Sequence, residues 1–199
     1  MKSSAKGFIL AASTLLFVLL SASTLLGARV TKSFSEQFKA SEGMQVRIDN
    51  RFGQVNIESW DTPSVSIEVT VWAEATRHDR AMAILEAIDV SIDQVNNQIR
   101  AITKIDERAM RPSGRIFSSS SNEFRIDYNV KMPKNLDLNL KHKYGDAFID
   151  HLDGRVTIDL KYGNLKANSF TRGATEPLNS LELGSVSYTH LTLPTKRIV

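Results

Sequence analysis

The stretch HKYGDAFIDHLDGRVTIDLKYGNLKANS, residues 142–169, carries one short phrase twice. The phrase is an aromatic residue, a glycine, a polar residue and then an apolar residue at every second position. A period of two is typical of a β-strand with one buried face. The glycine suits a backbone position with positive φ, or a tight bend where a side chain would clash. The stretch therefore predicts strands that begin at glycine-marked turns.

The same phrase recurs elsewhere in the chain, in NRFGQVNIES at residues 50–59 and in a shortened form, LELGS, at residues 181–185. The last three phrase glycines are about 20 residues apart, a repeat length that is typical of solenoids in which each coil stacks its strands on the previous one. We therefore predict an all-β chain built as a β-solenoid. The predicted structural turn glycines are Gly53, Gly145, Gly163 and Gly184.

The middle of the chain predicts further strands and one helix. VSIEVTVWAE, residues 65–74, alternates apolar and polar residues and predicts a strand with one buried face. RHDRAMAILEAID, from Arg77, has helical apolar spacing and predicts a helix over about residues 77–88, with Thr76 as its N-cap. We expect this helix to cap or flank the solenoid, because a bare terminal coil exposes unpaired strand edges.

Both ends of the chain are expected to lie outside the folded domain. Residues 1–28 join two lysines to an apolar run and small residues, which is typical of a secretory signal peptide; an uncleaved membrane anchor is the alternative. VSYTHLTLPT resembles a translated sequencing adaptor, so we expect residues 186–199 to be an artefact rather than a natural terminal strand. The domain would then span residues 29–185, truncated at its C-terminus, with its last coil unprotected.

Charge and composition exclude several function classes. The formal net charge is +3, from 25 Lys and Arg against 22 Asp and Glu. Four of the basic residues lie in the two end segments, which leaves 21 basic and 22 acidic residues and a net charge of −1. We therefore predict no nucleic-acid partner, which would need a basic face. Cysteine is absent, which excludes a disulfide scaffold, a zinc–thiolate site and a cysteine nucleophile.

Two histidines are the candidates for a metal site. His142 and His151 flank one copy of the phrase and could approach each other across neighbouring coils. A site would also need a carboxylate such as Asp146 or Asp150, and no ligand spacing enforces this convergence. We predict no metal and no cofactor.

Acidic and aromatic residues are the remaining candidates. Stacked carboxylates serve solenoid polysaccharide lyases and hydrolases, but here lysines and arginines are interleaved with them, which is more typical of a solvated surface. Trp60 precedes a turn and is expected to be exposed, whereas Trp72 is expected to pack in the core or at an edge. We predict no catalytic residue and a speculative binding surface formed by Trp60, Asp146 and Asp150.

Three segments together resemble the bacterial putative-adhesin family of unknown function: residues 47–71, residues 88–93 after the helix, and residues 126–167. The resemblance extends from about Phe34 to Gly184. It implies an exported β-solenoid and cell-surface adhesion, and it carries over no catalytic residues.

The predicted function is a non-catalytic interaction module in the periplasm, on the outer surface or secreted. It would bind a protein or glycan, and would meet a membrane only through the signal or anchor segment. The alternatives are an envelope structural or signalling component and a carbohydrate-active β-helix enzyme.

Overall fold

The computed structural model describes residues 28–108 and 123–170. The predicted signal segment up to residue 27, Gly184 and the adaptor-like tail lie outside these ranges. The described residues form eleven strands and one helix: β1 (Ala28–Lys39), β2 (Gln45–Phe52), β3 (Val55–Trp60), β4 (Ser64–Ala75), α1 (His78–Glu86), β5 (Ile88–Val95), β6 (Gln98–Ile105), β7 (Glu123–Pro133), β8 (Asp137–Tyr144), β9 (Ala147–Leu152), β10 (Val156–Tyr162) and β11 (Leu165–Phe170). Among them, no helix is long and apolar enough to cross a membrane.

The strands form two sheets, and the prediction of an all-β protein with one short helix is confirmed. Sheet A has the order β1-β4-β7-β3-β9-β11, and sheet B has the order β10-β8-β2-β6-β5. The strands β7, β3, β9 and β11 pair in parallel, as do β6, β2, β8 and β10. The strands β1 and β4 of sheet A and β5 of sheet B pair with their neighbours in antiparallel orientation. The pairs β6–β7, β2–β3, β8–β9 and β10–β11 thus follow one another in the same order in both sheets.

The repeat has a constant register in the last two units that the structure describes. The strands of the β10–β11 unit pair with those of the β8–β9 unit so that Val156 faces Leu138 and Leu165 faces Ala147. Side chains joined across this step are 18 residues apart in the chain, somewhat fewer than predicted. The β2–β3 unit lies between β6–β7 and β8–β9, so the units do not stack in chain order. Sequence spacing alone could not reveal this insertion, because β4, α1 and β5 separate that unit from its neighbours.

The core lies between the inward faces of the two sheets. The alternation predicted for β4 is confirmed, since Val65, Ile67, Val69 and Val71 are fully buried. Tyr128 of β7 is also buried, and its hydroxyl lies 2.6 Å from Thr103 Oγ1, which satisfies its polar end.

Helix α1 lies at one end of the two sheets. It packs against β1 and β4 and also contacts β5, so it covers the end where β1 and β5 are the edge strands. Ala81, Ile84 and Leu85 are its buried residues. The prediction that Thr76 is the N-cap is wrong: Arg77 takes that position with an extended backbone, and no side chain caps the helix there.

The opposite end of the sheets is less covered. Leu140 and His142 of β8 are buried, whereas Ile158 and Leu160, which pair with them in β10, are only partly buried. Tyr162, the last residue of β10, is 50% exposed. Among the described strands, β10 and β11 therefore form an open edge with unpaired backbone groups.

Candidate functional site

The glycine-marked turns stack directly on one another. Gly53, Gly145 and Gly163 have φ values of 103°, 128° and 159°. A Cβ atom at Gly145 would lie only 1.7 Å from the carbonyl oxygen of Gly53. The Gly145 N–H donates to the carbonyl of Tyr162 at 2.8 Å. Glycine is required here because the backbone of one unit contacts that of the next.

The aromatic residues before these glycines form a stack along the same corner. The ring of Tyr144 lies 5.1 Å from Phe52 and 5.0 Å from Tyr162, with interplanar angles of 13° and 7°. The Arg51 guanidinium and the Lys143 ammonium lie over Phe52 and Tyr144, 5.4 and 5.1 Å from the ring centroids. The inner ring faces are covered by one another, so this stack joins the units rather than offering flat platforms to a ligand.

The two predicted binding carboxylates also join adjacent units. Asp146 Oδ1 accepts hydrogen bonds from the backbone N–H and the side-chain amide of Asn164, at 2.8 and 3.0 Å. Asp150 accepts one from Asn168 Nδ2 and one from Ser59 Oγ, both at 2.8 Å. These bonds, that from Asn168 above all, hold the pKa of Asp150 below its usual range. Both carboxylates thus have structural hydrogen-bond partners.

The two candidate histidines have separate partners. His142 is fully buried, with Nδ1 3.4 Å from the carbonyl of Asn50 and Nε2 3.2 Å from that of Gly53. Burial lowers the pKa of His142 below its usual range. His151 instead places Nδ1 against Ser169 Oγ and Nε2 2.9 Å from Asp153 Oδ1. In residues 28–108 and 123–170, no three His, Asp or Glu side chains converge as a metal site would require.

The two tryptophans have different environments. Trp60 is partly buried, and its Nε1 donates to the carbonyl of Ser64 at 2.7 Å, so the indole closes the turn between β3 and β4. Trp72 does not lie in the core; it faces outward between buried Val71 and Ala73. The Arg29 guanidinium lies 4.0 Å from its ring centroid, a cation–π contact across β1 and β4.

The outward face of sheet A carries an aromatic residue that the sequence analysis missed. Phe148 lies between Ala147 and Ile149, both buried, so its ring faces outward from β9. One row across four strands places it beside Asn56 and Lys166, with Asn129 beyond Asn56. The sequence does indicate this outward position, because Phe148 falls between the alternating apolar residues that form the buried face of the strand.

We call this surface the Phe148 patch, and its polar groups surround the ring. The Lys166 ammonium lies 5.6 Å from the ring centroid of Phe148. Asn56 Nδ2 donates to Glu58 Oε1 at 3.1 Å, and Glu58 Oε2 lies 3.7 Å from the ammonium of Lys131. The members of the patch are Asn56, Glu58, Asn129, Lys131, Phe148 and Lys166. It is a hydrogen-bonding surface with a single aromatic ring.

No protein-family model and no curated protein matches the chain. Among solved structures, a "putative cell adhesion protein" from Clostridium sporogenes is 10% identical, with 70% of this chain and 71% of that chain covered and a TM-score of 0.30. A "putative adhesin" from Bacteroides fragilis is 11% identical, with 73% and 64% covered and a TM-score of 0.27. Another from Parabacteroides distasonis is 12% identical, with 70% and 58% covered and a TM-score of 0.26. Similarities of this size assign neither a fold nor a function to the chain.

Proposed function

We propose that the chain is an exported, adhesin-like β-solenoid that acts as a non-catalytic interaction module at the bacterial cell envelope. The signal-like pattern of residues 1–28 supports export. The solenoid interpretation is supported by the matching strand order of the two sheets and by the 18-residue register between the β8–β9 and β10–β11 units. A macromolecular ligand would lie across the strands, where the stacked units form a rigid surface.

The observation that carries the proposal is the Phe148 patch. Phe148 is partly buried and its ring faces outward in a row with Asn56, Asn129 and Lys166, so a partner that covered it would remove further apolar surface from water. The strands on both sides hold the patch rigid through parallel pairing. Binding would therefore require little loss of conformational entropy in the protein.

Catalysis is the weaker alternative, because Asp146 and Asp150 have other partners. A glycoside hydrolase needs two carboxyl groups free to act as acid and base on one sugar. Asp146 and Asp150 instead accept hydrogen bonds from the adjacent unit. Turnover of a polysaccharide that disappears in Asp150→Ala, with the fold intact, would contradict the non-catalytic assignment.

The envelope structural role is favoured by one observation, the mixed charge of both sheets. Arg100 pairs with Asp93 on sheet B, and Arg125 pairs with Asp127 on sheet A. Exposed pairs of this kind contribute little stability and leave a surface without a dominant sign. A structural component would present such a surface without binding a soluble ligand.

Fractionation of cells that express the full chain tests export, and biolayer interferometry tests binding. The immobilised protein is exposed in turn to purified envelope polysaccharides and to purified envelope proteins. Saturable binding to either class, together with recovery of the protein outside the cytoplasm, is the expected result. Recovery only in the cytoplasm would contradict export. Absence of saturable binding to both classes would leave the structural role as the better account.

A further inference from the structure

We propose that the Phe148 patch binds a neutral hexose polysaccharide, with one sugar ring stacked on Phe148 and its neighbours hydrogen-bonded along the same row. The inference rests on the proposed interaction function and specifies its ligand. Phe148, Asn56, Asn129 and Lys166 supply the contacts.

The Phe148 ring suits the apolar face of a pyranose. A hexose carries axial C–H groups on one face and hydroxyl groups around its edge, so it stacks on an aromatic ring while its hydroxyls reach sideways. Phe148 is partly buried on the outward face of β9, with buried residues on both sides in sequence. The ring therefore cannot withdraw into the core, where Ala147 and Ile149 already fill the inward positions.

The neighbouring amides suit the hydroxyl groups. Asn56 and Asn129 pair across adjacent strands in the row of Phe148, where the two strand backbones lie about 4.8 Å apart. Each amide offers a carbonyl acceptor and two N–H donors in one plane. Asn56 Nδ2 is oriented by Glu58, which leaves the amide oxygen to accept from a hydroxyl. Such planar groups match vicinal hydroxyls, which both donate and accept.

The charge of the patch favours a neutral chain. Glu58 lies beside Lys131, which compensates its charge, and the ammonium of Lys166 lies over the aromatic ring. A polyanion would need several uncompensated cations in a row, whereas the patch presents at most one. A protein partner would need a contiguous apolar centre, whereas Phe148 is the single aromatic ring in this row.

The experiment measures binding of the full chain to mannan, dextran and a soluble β-glucan, with alginate and single-stranded DNA as anionic probes. We expect saturable binding to at least one neutral polysaccharide, at an affinity insensitive to salt. Phe148→Ala should weaken it about tenfold, the effect of one lost aromatic contact. Phe148→Tyr should retain it. Trp72→Ala is the matched control, because it removes an outward, cation-covered aromatic ring from the same sheet three strands away.

The outcomes separate this site from the proposed function. Neutral binding that survives Phe148→Ala, or falls equally in Trp72→Ala, would overturn the site while the interaction function stands. Salt-sensitive binding to alginate or DNA alone would overturn the neutral-ligand assignment. If no neutral polysaccharide binds but purified envelope proteins do, the ligand class is wrong and the interaction function survives. Failure of both would remove the interaction function itself. Circular dichroism of each variant establishes that the fold is retained.

Discussion

Gly145→Ala should destabilise the protein far more than an ordinary glycine substitution. The added methyl carbon would lie 1.7 Å from the carbonyl oxygen of Gly53, so the two turns must separate by roughly 1 Å or more. That separation breaks the 3.1 Å hydrogen bond from Gly53 N to the Tyr144 carbonyl and disturbs the stacking of Tyr144 on Phe52. These losses are worth about 1 kcal/mol each. The φ of 128° costs a further ~1–3 kcal/mol for alanine. We expect the free energy of unfolding to fall by about 3–5 kcal/mol in total.

Gly43→Ala is the matched control for this prediction. Gly43 also has a positive φ, 72°, but a methyl group there would meet only Asn97 Nδ2, at 3.7 Å. It should cost about 1–2 kcal/mol, from backbone strain alone. Urea unfolding followed by circular dichroism gives both values, provided that the dependence on urea is unchanged. If Gly145→Ala costs no more than Gly43→Ala, the turns are not in backbone contact and the stacked arrangement of units is wrong.

Three further predictions concern stability and local opening. Burial lowers the pKa of His142, so the unfolded chain binds a proton there more readily than the folded chain, and the free energy of unfolding should fall as pH drops below about 6.5. His142→Leu should flatten this pH dependence, which urea unfolding between pH 5 and 7.5 measures. An unchanged slope of stability against pH would contradict the prediction. Trp60→Phe should lower stability by about 1 kcal/mol through loss of the hydrogen bond to Ser64, without changing polysaccharide affinity; a loss of affinity at constant stability would restore Trp60 as a binding residue. Backbone amides of β10 and β11 should exchange with deuterium faster than those of β8 and β9, since the end units are less covered, and equal protection would show that another segment or a second copy covers the edge.

The sequence predicted strand character well because each strand pattern is local. The alternation in β4 and the helical spacing of α1 each predict one buried face, and the structure contains both buried faces. The N-cap was wrong because Thr76 satisfies the preference for a hydroxyl side chain, whereas the chain stays extended through Arg77 and the helix starts after it. The position of the β2–β3 unit within the stack depends on long-range pairing, which no local pattern records.

The candidate site was only partly predictable for the same reason. Asp150 was singled out by residue type, but its role depends on Asn168 and Ser59, which reach it through pairing between units. Phe148 was not predicted, because an apolar residue in an apolar-rich strand resembles a core residue. Its outward position follows only from its alternation with Ala147 and Ile149. An outward aromatic residue in such a strand is recognised only when its phase is compared with that of its buried neighbours.

The stacked units also suggest a rule for acids in such repeats. Parallel pairing places equivalent positions of neighbouring units about 4.8 Å apart, so a carboxylate repeated at one position would face another carboxylate. Two such carboxylates repel each other unless a cation or a shared proton lies between them. Here two of the acids face an amide at the 18-residue step: Asp146 faces Asn164, and Asp150 faces Asn168. The pairing of an acid with an amide removes the need for a metal and converts the position into a hydrogen bond between units. Asn168→Asp would place a second carboxylate opposite Asp150. The repulsion between the two should raise the pKa of Asp150 and lower the free energy of unfolding at neutral pH. If calcium reversed that loss, the same rule would account for how a structural position becomes a metal site.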